Sequence, residues 1–161
     1  LKRIFADYGE LDGAYKVANM IVRYREEHEL VTSADLYKAV ERAIPREREK
    51  KFLAKLYQAL RIEVNGELDV LEEMLASAMK VLKPGGRLSV ITYHSLEDRL
   101  VKNFFKSGNA EGKVEKDPIT GRVNFNFREV NRKVIVPTDQ EILENPRSRS
   151  AKLRILEKIG D

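Results

Sequence analysis

The stretch from Ala59 to Asp98 constrains the fold of this chain more than any other part of the sequence. It reads as a helix, a stop at Lys83-Pro84-Gly85-Gly86, a short apolar strand and a polar tip at Tyr93-His94-Ser95. This order is one helix-to-strand step of a doubly wound α/β sheet, and such sheets bind ligands at the carboxyl ends of their strands. We therefore expect a functional site of this chain to lie near the polar tip.

The composition is that of a globular domain. The chain has 161 residues, of which 42% are apolar and 35% are charged, and a chain of this length buries roughly two thirds of its unfolded surface. No apolar run approaches the ~18 residues of a membrane-spanning helix, so we expect no membrane partner. The absence of cysteine excludes disulfides, thiolate metal sites and a cysteine nucleophile. We predict no metal site and a cytoplasmic location.

The first part of the chain is predicted to be helical. Apolar residues recur at helical spacing from about Asp12 to His28. Thr32 with Asp35 forms a capping-box pattern that begins a second helix. A third helix carries apolar residues on one face, at Phe52, Leu53, Leu56, Leu60 and Val64. Because no alternating strand pattern precedes residue 86, we expect residues 1–64 to form a helical unit.

Residues 65–161 are predicted to form an α/β domain. Asn65 is a favourable N-cap for a helix that starts after the Asn65-Gly66 break. The segment Arg87 to Tyr93 is too continuously apolar for a half-exposed strand, which favours a parallel strand covered on both faces. Ser95 with Asp98 is a capping-box pattern for the helix that follows this strand.

A hairpin and two further strands are predicted toward the end of the chain. After a turn sequence, apolar and polar residues alternate, with the apolar positions at Val123, Phe125 and Phe127. These phenylalanines either stack on nucleic-acid bases or form the buried face of the hairpin. Lys133 to Val136 and Ala151 to Leu156 predict two strands, joined by a short helix near Asp139 to Glu144.

The basic residues are clustered although the net charge is only +4. Each cluster is either a solvated face or a surface that contacts phosphate, and acidic residues within the first cluster favour the solvated face. The three clusters are Arg46, Arg48, Lys50, Lys51 and Lys55; Arg128, Arg132 and Lys133; and Arg147, Arg149, Lys152 and Arg154.

Three blocks of the sequence carry a family resemblance. They are Gln58 to Leu68, Leu82 to Phe105 and Asn145 to Ile159, and Ile4 to Glu10 adds a shorter fourth segment. Together they resemble the ribosomal RNA small-subunit methyltransferase H family. The resemblance implies a helical insertion unit followed by the C-terminal half of a class I, Rossmann-like methyltransferase sheet. It also implies that an amino-terminal half of the same protein, missing from this chain, is a partner.

The resemblance implies an activity as well. Members of this family transfer a methyl group from S-adenosylmethionine to the N4 amine of a cytidine in 16S rRNA of the small ribosomal subunit. The family's cofactor-binding segments lie upstream of anything resembling Ile4 to Glu10, so we expect no cofactor-binding residue in this chain and no activity from the chain alone. A homodimer is a further expectation.

The polar tip supplies the candidate catalytic residues. The amine lone pair of cytidine is conjugated into the ring, so an enzyme must position the amine against the methyl donor. Through the resemblance, His94, Ser95 and Asp98 are candidates to position the base. The alternatives are that Ser95 and Asp98 only cap the next helix and that His94 only satisfies a nearby carbonyl.

Two further sets are candidates for RNA contacts. The first set lies on the third helix and consists of Tyr57, Gln58, Arg61 and Asn65. Helical spacing brings Tyr57, Arg61 and Asn65 to a common face, where they could contact RNA. The alternative is that the helical unit packs on the sheet and that Arg61 pairs with a local carboxylate such as Glu63 or Glu67. The segment Asn145 to Ser150, with Arg147 and Arg149, reads equally as a phosphate-contacting loop or as a rigid turn.

Two other function classes, a non-catalytic module and a hydrolase, are less favoured by the sequence. A non-catalytic RNA-binding or ribosome-assembly module is favoured by the basic clusters but not by a half sheet with an unpaired edge. A hydrolase is excluded at the polar tip, because a nucleophile elbow needs a Gly-x-Ser-x-Gly sequence that the chain lacks.

Overall fold

The computed structural model describes residues 1–114, 116, 118, 120, 125–131 and 133–160. The chain divides into two compact units, Leu1–Glu67 (unit 1) and Leu68–Asp161 (unit 2). The structure is a mixture of helices and strands, as an α/β chain requires. Among the described residues, no helix has both the length and the apolar character needed to cross a membrane.

Unit 1 consists of helices, and the three predicted helices are confirmed. Apolar residues on α2 are buried at the predicted helical spacing, and the Thr32 hydroxyl accepts a hydrogen bond from the backbone N–H of Asp35 at 3.2 Å. The α-helices are α1 (Lys2–Asp7), α2 (Ala14–Glu27), α3 (Ser33–Val40) and α4 (Glu49–Asn65), and short 3₁₀ helices span Glu41–Ala43 and Arg46–Arg48.

The core of unit 1 forms where α1, α2, α3 and α4 bring their apolar faces together. Phe5, Val40 and Leu56 are fully buried in it. The prediction for α4 is wrong at Val64, which is 82% exposed. The buried face of α4 instead turns toward Ala59 and then Ile62, because a helix advances 100° per residue and Val64 falls on the opposite side.

The break between α4 and the next helix lies at Gly66. Its φ of 59° is left-handed backbone, which glycine adopts without steric penalty and which ends α4. Asn65 is therefore the last residue of α4, and the prediction that Asn65 caps the following helix is wrong. Its side-chain amide instead donates to Oε1 of Glu67 at 3.0 Å.

In its described residues, unit 2 combines three α-helices and a three-stranded sheet. Helix α5 spans Glu67–Val81, so it begins at the boundary of the two units, and Gly85 and Gly86 follow it as predicted. The remaining elements are β1 (Arg87–Thr92), α6 (Ser95–Ser107), β2 (Phe127–Glu129), α7 (Asp139–Glu144), a 3₁₀ helix over Pro146–Ser150 and β3 (Lys152–Lys158). Their core contains Leu75, Phe105 and Leu156.

The sheet has the order β1-β3-β2, and both pairings are antiparallel. Glu157 of the central strand lies opposite Arg87 on one side and Arg128 on the other. Its carboxylate accepts hydrogen bonds from both guanidinium groups, at 2.7 and 2.6 Å, and they hold the pKa of Glu157 below its usual value. The two ion pairs thus join residues that lie opposite one another in the pairing of all three strands.

The prediction for β1 is wrong about the direction of its pairing and about the burial of both of its faces. The strand exists, but it pairs antiparallel with β3, and its side chains alternate between buried and exposed positions. Val90 and Thr92 are buried, whereas Ile91 is 56% exposed. The faces were predicted wrongly because, within unit 2, the apolar core covers only one face of the strand. The direction was predicted wrongly because an apolar run carries no information about the direction of its partner strand.

The predictions for the last part of the chain have mixed outcomes. Helix α7 and strand β3 are confirmed. The predicted strand at 133–136 is wrong, because only an isolated bridge joins Ile135 to Leu153 there. Of the predicted hairpin, Val123 lies outside the described residues, while Phe127 begins β2 and its ring lies 5.4 Å from that of Phe125.

Candidate functional site

The turn between β1 and α6 is closed by two side chains of its own. His94 is the N-cap of α6, and its Nδ1 accepts a hydrogen bond from the backbone N–H of Glu97 at 3.3 Å. In return, Oε2 of Glu97 accepts from the backbone N–H groups of Tyr93 at 2.9 Å and of His94 at 3.3 Å. The turn therefore has a reciprocal capping box built from histidine and glutamate.

His94 has one satisfied and one unsatisfied ring nitrogen. Because Nδ1 accepts a backbone hydrogen bond, the proton of the neutral ring is assigned to Nε2. This Nε2 is buried and makes no hydrogen bond with any described residue. Oε1 of Glu97 lies 3.3 Å from it, but the two atoms lack hydrogen-bond geometry. A buried N–H donor without an acceptor is uncommon in folded proteins, and it marks His94 as the most unusual side chain of this turn.

Glu97 is held in its ionised form. Burial by itself would raise the pKa of Glu97. The His94 ring and the hydrogen bonds that the carboxylate accepts from backbone N–H groups lower this pKa by more than burial raises it. The net result is a pKa below the usual value for glutamate. The sequence analysis did not identify Glu97, although the spacing His94-x-x-Glu97 is that of a capping box with histidine at the N-cap.

Ser95 and Asp98 do not form the predicted capping box. Ser95 is the first residue of α6 and is exposed. Asp98 is buried, and its carboxylate binds Arg154 Nε at 2.8 Å and Lys152 Nζ at 3.0 Å. The box is displaced by one residue because His94 takes the N-cap position and Asp98 points toward β3.

Asp98 is an ionised carboxylate inside unit 2. Burial alone would raise its pKa, but the hydrogen bonds and charges of Arg154 and Lys152 lower it below the usual value. Each of its oxygens has a cationic partner, so Asp98 anchors α6 to the strand β3. Both cations belong to the third basic cluster, and the structure thus shows that these two charges are used internally.

The candidate RNA-contacting residues of α4 have local partners. Arg61 Nε and Nη2 donate to both oxygens of Glu67, at 2.7 and 3.0 Å, which confirms the alternative that Arg61 pairs with a local carboxylate. The Tyr57 hydroxyl donates to the carbonyl of Ser33 at 3.2 Å, and the Gln58 amide donates to the carbonyl of Tyr8 at 3.4 Å. These contacts all lie within unit 1.

Arg147 and Arg149 are arranged differently from Arg61. Both are exposed on the 3₁₀ helix that follows Asn145, whose side chain accepts the backbone N–H of Arg147 at 3.3 Å. Neither guanidinium has an ion pair within the part of the chain that the structure describes. Ser148 between them is buried, and its hydroxyl has no hydrogen-bond partner there.

The turn from β1 to α6 does not fit S-adenosylmethionine, the methyl donor that the resemblance implies. Nucleotide-like cofactors are held in α/β folds by glycine-rich turns from a strand to a helix, which bring the backbone close to the ligand. The described turn that leads directly from β1 to α6 has no glycine, and its N–H groups at Tyr93, His94 and Glu97 are bonded within the capping box.

Comparisons with known proteins identify the family. Residues 1–159 match the model of the MraW methylase family. Curated relatives named "Ribosomal RNA small subunit methyltransferase H" are 57% identical over 159 residues in Parabacteroides distasonis, 57% over 158 residues in Phocaeicola vulgatus and 52% over 158 residues in Flavobacterium psychrophilum. These alignments cover 98% to 99% of this chain but 52% to 54% of each relative, so the chain spans about half the length of the curated relatives it matches. The chain belongs to the MraW methylase family.

Proposed function

We propose that the protein transfers a methyl group from S-adenosylmethionine to the N4 amine of a cytidine in 16S rRNA, within the small ribosomal subunit in the cytoplasm. The observation that carries this proposal is the family match over residues 1–159, together with relatives whose names state a ribosomal RNA substrate. In this proposal the cofactor-binding loop belongs to a part of the protein outside these 161 residues, and this chain alone is inactive.

The β1–α6 turn is the proposed place where the base is positioned. His94 Nε2–H is a donor, so once the base displaces the side chains that bury it, it would hold the N3 or O2 acceptor of a cytosine ring rather than accept a proton from the amine. The capping hydrogen bond to Nδ1 fixes the orientation and the tautomer of this donor. Ser95, exposed at the start of α6, offers a hydroxyl at the same rim. Asp98 would hold the start of α6 in place through its ion pairs with Lys152 and Arg154 of β3.

A larger sheet is part of this proposal. The face of β1 that carries Ile91 is exposed, and Tyr93 just beyond the strand is 57% exposed. Covering these apolar side chains is favourable, and further strands and helices of a class I methyltransferase sheet would cover them. In this arrangement residues 1–64 are the helical insertion and residues 65–161 are the C-terminal half of the methyltransferase domain.

The two candidate RNA-contacting sets are supported to different degrees. Arg147 and Arg149 are exposed and unpaired within the described residues, so a phosphate can bind them without displacing a carboxylate. Arg61 already binds Glu67, and a phosphate must compete with that contact. Tyr57, Gln58 and Asn65 would contact RNA through the outer edges of α4. We therefore propose Arg147 and Arg149 as the stronger of the two contact sets.

The experiment measures methyl transfer by the full-length protein. Small subunits that lack the modification are incubated with radiolabelled S-adenosylmethionine, and the nucleosides of the RNA are then identified by mass spectrometry. The expected product is N4-methylcytidine at one position. Label in protein, in large-subunit RNA or in another nucleoside would contradict the proposal.

A non-catalytic function is the second candidate for this chain. The exposed cations of Arg147 and Arg149 favour an RNA-binding or ribosome-assembly module. The same experiment separates the two candidates. Binding of the full-length protein to small subunits without methyl transfer would favour the module.

A further inference from the structure

A groove on unit 1 combines cations with a pair of stacked rings. It runs between α2 and the segment formed by α3 and the 3₁₀ helix that follows, and we call it the α2–α3 groove. Its volume is about 670 Å³, within the range of roughly 300–1,000 Å³ that is common for ligand clefts. Its residues belong neither to the basic clusters of the sequence analysis nor to the candidate set on α4.

The charges along the groove are predominantly positive. Lys16 and Arg23 line it from α2, and Lys38 and Arg42 line it from the other side. Two carboxylates, those of Glu27 and Glu41, also line it, so the cations exceed the anions by two.

Most of these cations have no internal partner. Lys38 lies 4.0 Å from Asp35. The side chains of the other three cations, Lys16, Arg23 and Arg42, make neither an ion pair nor a hydrogen bond with any residue that the structure describes. This differs from Arg61, Arg87 and Arg154, each of which binds a carboxylate. The groove thus presents positive charge that folding of this part of the chain does not use.

A stacked pair of rings lies in the same groove. The rings of Tyr24 and His28 are 4.6 Å apart between centroids and inclined by only 20°. His28 follows the last turn of α2, and its backbone N–H donates to the carbonyl of Tyr24 at 2.9 Å, which fixes one ring one turn beyond the other. The rings therefore form a flat, semi-rigid platform whose orientation is set by the helix.

We propose that the α2–α3 groove binds a single-stranded segment of RNA, with a base stacked on the Tyr24–His28 pair and phosphates at Arg23 and Arg42. Cations that follow a backbone, combined with aromatic rings that accept a base, are the two features by which proteins hold unpaired strands. A duplex keeps its bases stacked on one another and cannot use the rings. The inference rests on the proposed function, because it requires an RNA substrate.

The experiment measures binding of a fluorescein-labelled, single-stranded RNA of mixed sequence to the full-length protein by fluorescence anisotropy over a range of salt concentrations. Arg23→Gln and Arg42→Gln should each weaken binding several-fold and reduce the dependence of log K on log salt by about 0.7 per lost contact. Arg25→Gln is the matched control, because Arg25 is exposed on the same helix but does not line the groove. It should bind like the unsubstituted protein.

The stacking contact is tested separately. Tyr24→Leu keeps apolar packing against the core but removes the ring, and it should weaken binding about tenfold. Tyr24→Phe should retain binding, and Tyr15→Leu is the control for losing an exposed tyrosine from α2. Circular dichroism checks that every variant is folded.

Three outcomes would overturn the inference. The first is that the unsubstituted protein does not bind the RNA. The second is that Arg23→Gln and Arg42→Gln bind as tightly as Arg25→Gln. The third is that single-stranded and duplex RNA compete equally and Tyr24→Leu has no effect on binding. These outcomes are distinguishable from failure of the proposed function. That function fails if the full-length protein methylates no small-subunit RNA, whereas the inference fails alone if methylation persists and the groove variants bind like the controls.

Discussion

Helices α3 and α6 begin with the same type of capping box but in different surroundings. In α3 the N-cap is Thr32 and its partner is Asp35, both near the surface. In α6 the N-cap is His94 and its partner is Glu97, and the His94 side chain is only 11% exposed. The first box satisfies all of its polar groups, whereas the second buries an N–H donor that has no partner among the described residues. The same local motif thus serves as an ordinary helix start in α3 and as a poised donor in α6.

The aspartates in the first turn of each helix should show the largest difference. They are Asp35 in α3 and Asp98 in α6. Replacing Asp98 with Asn leaves Arg154 and Lys152 without their shared carboxylate, and it should lower the free energy of unfolding by about 3 kcal/mol. Urea denaturation of the purified chain measures this. Asp35→Asn, which alters only the exposed box, should lose ~1 kcal/mol or less. Equal losses for the two variants would contradict a difference in surroundings.

Acid should weaken both helix starts, because the hydroxyl of Thr32 also lowers the pKa of Asp35, but α6 carries two such carboxylates. The pKa values of Asp98 and Glu97 are lowered in the folded chain, so their stabilising contribution is complete above the pKa values of the unfolded chain, about 3.9 and 4.3. It is lost as the pH falls through the lower folded values. The free energy of unfolding should therefore fall below about pH 4. In Asp98→Asn that fall should be shallower, and an unchanged slope would show that Asp98 is not the group being protonated.

The N-cap residues should separate stability from activity. His94→Ala removes the cap of α6 and should destabilise the chain by about 1 kcal/mol, as should Thr32→Ala in α3. His94→Asn restores a cap but not the ring, so its melting temperature should approach that of the unsubstituted protein. Methyl transfer by full-length His94→Asn should nevertheless fall about tenfold or more, while Thr32→Asn keeps full activity. Full activity of His94→Asn would reduce His94 to a cap.

The first residue of each helix should show the smallest effect on stability. Ser95→Ala and Ser33→Ala both remove an exposed hydroxyl and should change the free energy of unfolding by less than about 0.5 kcal/mol. If the Ser95 hydroxyl contacts the base, only Ser95→Ala should lower the turnover of the full-length enzyme. Equal turnover of both variants would remove Ser95 from the proposed site.

The two boxes also show what could be predicted from the sequence. The box of α3 was predicted at its residues, because Thr and Asp are common capping residues and their contacts are local. The box of α6 was predicted one residue late, because histidine is not a usual N-cap and Ser95 with Asp98 gave a stronger local pattern. The partners of Asp98 lie 54 and 56 residues away, so no local pattern indicates them.

The same distinction holds for the rest of the fold. The helices depend on residues close in the chain, and they were predicted; the Arg61–Glu67 pair is also local, and it was one of the alternatives to an RNA contact. The direction of pairing of β1 was not, because its partner β3 begins about sixty residues after β1 ends and the apolar run does not encode that partner. The hydrogen bonds of the candidate site were not predicted, since these depend on which residue takes the N-cap.

The strand order β1-β3-β2 has a consequence for synthesis of the protein. The strand at the centre of the described sheet is the last of the three to leave the ribosome, so β1 and β2 emerge before the strand to which both are bonded. Until β3 appears, neither Arg87 nor Arg128 can meet Glu157. We therefore expect this sheet to form late, in a single closing event of non-local contacts, while the helices of unit 1 can already fold as they are made.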